Sequence, residues 1–152
     1  MLLRDEEYAI TSYCLSRQRN ITPKMREILI DWMIEVSDEF MLKRETLYIS
    51  INYIDRYMLL APYEIPKSEL QMIGVSSMFL ACKVEEVYIP RVNDFALATD
   101  GGYTRDQILM MENRIMKVLQ FKLHPITLCN WANWYLNMWD IYQESNLKQF
   151  YQ

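Results

Sequence analysis

Residues 67–86 carry the sequence KSELQMIGVSSMFLACKVEE. From Met72 to Cys82 every position is apolar or small, so this segment is apolar on every face, a pattern typical of a helix at the centre of a domain. Small residues such as Gly74 and Ser76 let neighbouring backbones approach closely. The stretch therefore predicts a helical axis with other helices packed around it.

The chain on either side of this axis also has helical patterns. They predict helices at roughly residues 3–17, 22–40, 47–60, 92–98, 104–118 and from 127 onward. Thr22-Pro23 is a helix start signal, and Thr104 with Gln107 has the form of a capping box. Only 3 glycines and 5 prolines occur, too few for the turns of a many-stranded sheet. We therefore predict an all-α fold.

Composition restricts the class of protein. A length of 152 residues with 51% hydrophobic content is enough for one domain with its own core. The 16 basic and 20 acidic residues give a net charge of −4, which argues against a nucleic-acid-binding surface and favours protein partners. The most apolar run, residues 70–84, is shorter than the roughly 20 residues of a membrane span. Three cysteines without a C-x-x-C pair favour a reducing, intracellular compartment.

The sequence offers little for catalysis. The single histidine, His124, has no neighbouring base or nucleophile in sequence. Gly101-Gly102 lacks the Lys-Ser/Thr of a phosphate-binding loop, and adjacent acids such as Glu85-Glu86 would point about 100° apart on a helix. We expect no catalytic residue, no metal ligand and no cofactor, and hence a protein that is not an enzyme.

Several short segments, in order along the chain, resemble the cyclin box of the mitotic A- and B-type cyclins. They are MREILIDW at 25–32, ETLY at 45–48, NYIDRY at 52–57, ACKVEE at 81–86, and Tyr103-Thr104 with Met111-Glu112. The resemblance covers about residues 22–123 and implies a box of five helices with the third at the centre, in agreement with the interpretation of residues 67–86. It divides the chain into an N-terminal helix and linker at 1–21, the box at 22–123, and residues 124–152 as the first helix of an absent or truncated second box with a tail.

The resemblance implies that the chain binds and activates a cyclin-dependent kinase. Lys83 and Glu112 match the family's paired lysine and glutamate, which contact the kinase near its mobile helix. Val84 and Phe121 lie where the family supplies apolar kinase contacts, although an aromatic residue is usual at the first position. Docking would push the kinase helix inward and help to hold the activation loop open. The alternative for the charged pair is an ordinary surface ion pair, worth about 0–1 kcal/mol.

A second site follows from the same resemblance. In the family a shallow groove captures Arg-x-Leu segments of substrates and inhibitors, with apolar residues around the Leu and a glutamate facing the Arg. The matching residues here are Met25, Ile28, Leu29, Trp32, Glu35, Leu70 and Gln71. Without the resemblance, the same residues would be interpreted as core. Arg26 and Asp55 match a further pair, which we assign to fold integrity because an unpaired buried charge is costly.

Two other functions stay open at this level. The same helical box occurs in general transcription factors that bind DNA, and a helical scaffold without kinase activation would have the same pattern. The negative net charge argues against the DNA-binding function. A kinase assay distinguishes a scaffold from a kinase activator. With a kinase as partner, we expect the protein in the nucleus and cytoplasm, without nucleic acid or membrane as a partner.

The segment after Leu123 contains three of the four tryptophans. Only 29 residues follow Leu123, whereas cyclins of this type usually have a second box of about a hundred residues. We expect either a truncated chain or an unusually short cyclin. An apolar stripe at helical spacing should be buried, by the N-terminal helix, by the box or by a neighbouring chain. We predict self-association through this stripe, which consists of Trp131, Trp134, Tyr135, Met138 and Trp139.

Overall fold

The computed structural model describes the backbone of residues 15–150 and the side chains of residues 15–139. Within this part of the chain the regular structure is entirely helical, as predicted. The helices are α1 Pro23–Glu39, α2 Arg44–Leu60, α3 Leu70–Glu85, α4 Val92–Leu97, α5 Arg105–Val118 and α6 Leu128–Phe150, with a short 3-10 turn at Lys67–Glu69 before α3. None of the described helices combines the length and apolarity that crossing a bilayer requires.

The third helix is the axis of the domain, as the sequence predicts. Every residue of α3 from Ile73 to Cys82 is buried, and α1, α2, α4 and α5 all pack against it. Gly74 makes the close approach of α1 possible, since a Cβ at this position would lie 2.8 Å from Cδ1 of Leu29. On another face, the buried hydroxyl of Ser76 donates to the carbonyl oxygen of Ile108 in α5 at 3.2 Å. The small residues of α3 thus set the spacing of the surrounding helices.

The helix starts follow local sequence signals. The Thr22 hydroxyl accepts a hydrogen bond from the backbone N–H of Met25, and Pro23 occupies the first helical turn of α1. Thr104 and Gln107 form the predicted capping box at α5. The axis differs from the prediction at its start, because residues 67–69 form the 3-10 turn and the α-helix begins only at Leu70.

Two helices are closed by a residue other than glycine in the left-handed conformation that favours glycine. After α1, Met41 adopts a left-handed conformation with φ of 51°, and the N–H of Leu42 donates to the carbonyl oxygen of Ser37 at 2.9 Å. After α5, Gln120 has φ of 53° and the N–H of Phe121 donates to Met116 at 2.9 Å. Both arrangements are Schellman closures with a side chain at the position that favours glycine.

One helix holds the segment that leads to α6. The Arg56 guanidinium of α2 donates to the carbonyl oxygen of Lys122 at 2.9 Å, and the Tyr53 hydroxyl donates to that of Leu123 at 2.5 Å. At the start of α2, the carboxylate of Glu45 accepts a hydrogen bond from the Thr127 hydroxyl. Residues 122–127 are therefore fixed to α2 at three points.

The chain before α1, as far as the structure describes it, packs on α2 and the loop that follows α2. The Gln18 side chain bridges α2 and the following loop, donating to the carbonyl oxygen of Met58 and accepting from the N–H of Ile65, both at 2.8 Å. Of the helix predicted at residues 3–17, residues 3–14 lie outside the described part of the chain. Residues 15–17 form a turn.

Candidate functional site

A cleft of about 430 Å³ opens between α1 and the start of α3. The spacing of three and four residues places one apolar stripe of α1 along its wall, where Leu29 is buried and Ile28 is 57% exposed. An apolar side chain exposed to that degree is not core, so the cleft presents an apolar surface to solvent. Its lining residues are Met25, Ile28, Leu29, Trp32, Lys67, Leu70 and Gln71.

Six of the seven predicted groove residues line this cleft. The exception is Glu35, which lies exposed on α1 one turn beyond Trp32, outside the lining. Lys67 is a lining residue that the sequence interpretation missed. Its position three and four residues before Leu70 and Gln71 was the available signal, because this spacing puts the three on one side of a helical turn. The cleft thus combines an apolar wall with a cation at its α3 end.

Lys83 and Glu112 meet at the surface between α3 and α5. The Lys83 ammonium donates to both carboxylate oxygens of Glu112, at 2.7 and 2.9 Å. The Glu112 side chain is 6% exposed and that of Lys83 is 40% exposed, so the pair presents its positive end to solvent. The same ammonium lies 4.1 Å from the centre of the Phe79 ring, a contact that the sequence interpretation did not include.

The two predicted apolar contact residues, Val84 and Phe121, differ in their exposure and in where they lie relative to the helices. Val84 follows Lys83 in α3 and is half-buried, whereas Phe121 is 65% exposed beyond the end of α5. The loop after α3 adds an exposed apolar run, Val87, Tyr88 and Ile89.

The start of that loop is tied to α2. The Glu86 carboxylate accepts from the N–H of Lys43 at 2.8 Å and from the Thr46 hydroxyl at 2.5 Å. The Lys43 ammonium in turn pairs with Glu85 at 3.1 Å. These contacts span some forty residues of sequence and fix where the loop leaves α3.

Arg26 and Asp55 form a bidentate pair between α1 and α2. Nε and Nη2 of Arg26 donate to the two carboxylate oxygens of Asp55, each at 2.6 Å. Asp55 is buried and the Arg26 side chain is 28% exposed. The guanidinium therefore compensates a carboxylate that is largely removed from water.

The described residues contain no group of three or more His, Cys, Asp or Glu side chains placed to hold a metal ion. Burial raises the pKa of the Cys82 thiol to about 12, with a smaller contribution from the carboxylate of Glu86. A thiol in this environment is protonated and unreactive near neutral pH. What the described surface offers is an apolar cleft and a charged pair, which are features of binding.

The stripe predicted on the last helix lies on α6, and most of it faces solvent. Tyr135, Met138 and Trp139 are between 50% and 61% exposed, Trp134 is 43% exposed, and Trp131 is half-buried. Within the stripe, the Trp131 and Tyr135 rings stack with centres 6.0 Å apart, and the Trp134 and Tyr135 rings meet edge to face at 5.0 Å.

Comparison with known proteins gives consistent matches. The family described as "Cyclin, N-terminal domain" matches residues 1–124. The chain is 41% identical to "G1/S-specific cyclin-E1" of Gallus gallus over 138 residues, which are 91% of this chain and 34% of that protein. It is 47% identical to "G2/mitotic-specific cyclin-A" of Patella vulgata over 117 residues, 77% of this chain and 27% of that protein. The chain thus spans about a third or less of the length of these relatives.

A solved structure has the same fold. The X-ray structure of a viral cyclin from herpesvirus saimiri superposes with a TM-score of 0.73 at 22% identity, covering 82% of this chain and 53% of that one. This likeness shows that the two chains share a fold.

Proposed function

Because this chain belongs to the cyclin family through its N-terminal domain, we propose that it is a regulatory subunit which binds and activates a cyclin-dependent protein kinase in cell-cycle control. The observation that carries the proposal is the Lys83–Glu112 pair. A largely buried carboxylate holds a lysine whose ammonium faces outward, and the exposed apolar run Val87, Tyr88 and Ile89 follows in the loop after α3. Exposed aromatic and apolar side chains are typical of the centre of a protein interface, and a charge held in place at its rim gives specificity.

In this proposal the chain positions the kinase's mobile helix and supplies no catalytic group. Lys83 and Glu112 contact the kinase beside its mobile helix, and Val84 and Phe121 supply apolar contacts. The bound box holds the kinase helix inward, so that the ATP-orienting lysine of the kinase meets its glutamate partner. The chain is then a regulatory subunit and not itself an enzyme.

The first test is a reconstituted kinase assay with purified kinase subunit. Lys83→Ala and Glu112→Ala should each weaken binding, because removal of one member leaves the other charge unpaired in the interface at a cost of about 2–5 kcal/mol. Lys24→Ala is the matched control, since Lys24 pairs with Glu27 at 3.0 Å on the exposed side of α1. Equal activation by all three variants would reject the kinase site. Binding without phosphotransfer by the unmodified chain would favour the scaffold function.

We also propose that the cleft between α1 and α3 recruits substrates and inhibitors through Arg-x-Leu segments. The exposed apolar wall supports this assignment, because the Leu of such a segment needs an apolar recess. Glu35, just outside the cleft, is then the partner of the Arg.

The cleft assignment is tested with two substrates. Trp32→Ala should weaken binding of an Arg-x-Leu peptide and leave phosphorylation of a short peptide without the motif nearly unchanged. Ile34→Ala is the control, since Ile34 is exposed on α1 and does not line the cleft. If Trp32→Ala reduced both activities equally and lowered the melting temperature, Trp32 would be a core residue.

The finer class and the location follow from the proposed function. The A-type relatives support the predicted mitotic A or B class, whereas the E1-type relatives carry a G1/S-specific name. We propose the mitotic class, acting in the nucleus and cytoplasm. Synchronised cells test it, because a mitotic cyclin should accumulate after DNA replication and a G1/S type before it.

We further propose that the α6 stripe is a self-association surface. Large apolar side chains grouped on one helix face are seldom left in water, and the stripe is at least half exposed at three of its five positions. Replacing Trp134 and Met138 with Glu should make an associated sample monomeric in light scattering without unfolding it. An unmodified chain that is monomeric at high concentration, with its tryptophans shielded from quenchers, would show that the stripe is covered within the chain.

A further inference from the structure

The ammonium of Lys83 has a second contact besides its carboxylate partner. It lies 4.1 Å from the centre of the Phe79 ring, within the roughly 6 Å over which a cation is attracted to the face of an aromatic ring. Phe79 precedes Lys83 by four residues in α3, so the two side chains share one side of the helix. The ring and the carboxylate of Glu112 therefore hold the same ammonium.

The Phe79 ring is itself fixed in orientation. It is 6% exposed and meets the fully buried Phe95 edge to face, with centres 5.5 Å apart. Phe95 in turn meets Phe40 of the loop after α1 edge to face at 5.0 Å. Edge-to-face pairs have a preferred geometry, so this three-ring array leaves one face of Phe79 turned toward Lys83. The array thus connects the packing of α1, α3 and α4 to the position of one surface cation.

We propose that Phe79 is a positioning residue of the kinase-binding site. Its ring holds the Lys83 ammonium, already in the free protein, at the position where the kinase binds it. A lysine side chain has many rotamers, and fixing them before association lowers the entropic cost of binding. An aliphatic residue at position 79 would fill the core but would present no face with negative potential. The inference rests on the proposed kinase function, so its test has one readout that needs no kinase.

The first readout is the NMR spectrum of the free protein. A proton held over an aromatic ring is shifted upfield by the ring current, so the ε-methylene protons of Lys83 should be shifted upfield in the unmodified chain. Phe79→Leu should move them to the position of a solvated lysine, whereas Ile73→Val should not. Ile73→Val is the matched control because Ile73 is fully buried in the same helix, ten residues from Lys83. An unshifted Lys83 in the unmodified chain would overturn the inference, whatever the kinase result.

The second readout is the affinity for the kinase, measured as a double-mutant cycle. Phe79→Leu should weaken binding about two- to fivefold, the range of a partly exposed cation–π contact. In a Lys83→Met background the same change should have no further effect, because the cation is gone. Equal losses in both backgrounds, or the same loss with Ile73→Val, would reduce Phe79 to a core residue and reject the inference. If the unmodified chain does not bind the kinase while the upfield shift is present, the proposed function fails and the positioning of Lys83 stands.

Discussion

Replacing Arg26 by methionine would remove the guanidinium that satisfies both oxygens of Asp55 at 2.6 Å. Asp55 is 7% exposed, so its carboxylate would stay largely out of water. Breaking a buried pair from one side costs about 3–5 kcal/mol. Because the Arg26 side chain is 28% exposed, water can enter part of the vacated space, and we expect a loss near the lower bound, about 3 kcal/mol. For a chain of this length, that corresponds to a fall in melting temperature of about 6–12 °C.

Urea unfolding followed by circular dichroism measures this loss as a lower midpoint with an unchanged slope. The double variant Arg26→Met with Asp55→Leu should regain most of the stability, because no charge is then left without a partner. If Arg26→Met costs less than about 1 kcal/mol, the pair behaves as an ordinary surface ion pair and its assignment to fold integrity is wrong. A double variant no more stable than Arg26→Met alone would equally reject the reasoning.

Four further predictions concern stability, peptide binding and thiol reactivity. Met41→Gly should raise the free energy of unfolding by about 0.5–1 kcal/mol in urea titration, because glycine adopts the left-handed conformation without steric cost. Thr104→Ala should lower it by about 1 kcal/mol through loss of the cap, while Thr104→Ser should restore it. Gly74→Ala should lower it by about 1 kcal/mol and also weaken Arg-x-Leu peptide binding in fluorescence anisotropy, since the new Cβ displaces Leu29 from the cleft wall. Cys82, whose pKa is raised to about 12, should resist iodoacetamide at pH 8 in the folded protein and react in urea, as read by mass spectrometry.

The starts of α1 and α5 were predictable because their causes are local. The cap at Thr22 and the capping box at Thr104 each depend on contacts within three residues. The central position of α3 was predictable for a different reason, since a segment without a polar face has to be surrounded. Likewise, the stripe of α1 that lines the cleft follows from helical spacing.

Contacts between residues far apart in the sequence left no such signal. The bond from Tyr53 to the carbonyl oxygen of Leu123 spans 70 residues. Lys67 was missed although its spacing to Leu70 and Gln71 was a signal, because helical periodicity does not separate the 3-10 turn at residues 67–69 from α3. The left-handed closures at Met41 and Gln120 were hidden because the usual glycine is missing. Sequence spacing could place Glu35 one turn beyond Trp32, but not show that it falls outside the cleft.

The three contacts between α2 and residues 122–127 determine how α6 is oriented relative to the rest of the domain. A free connector of this length would act as a hinge, and any contact made through α6 would first have to restrict its motion. Here Glu45, Tyr53 and Arg56 have already removed that freedom. The start of α6 is therefore held in a fixed orientation relative to α2. A protein that binds α6 near its start is then also oriented relative to the helices that pack around α3.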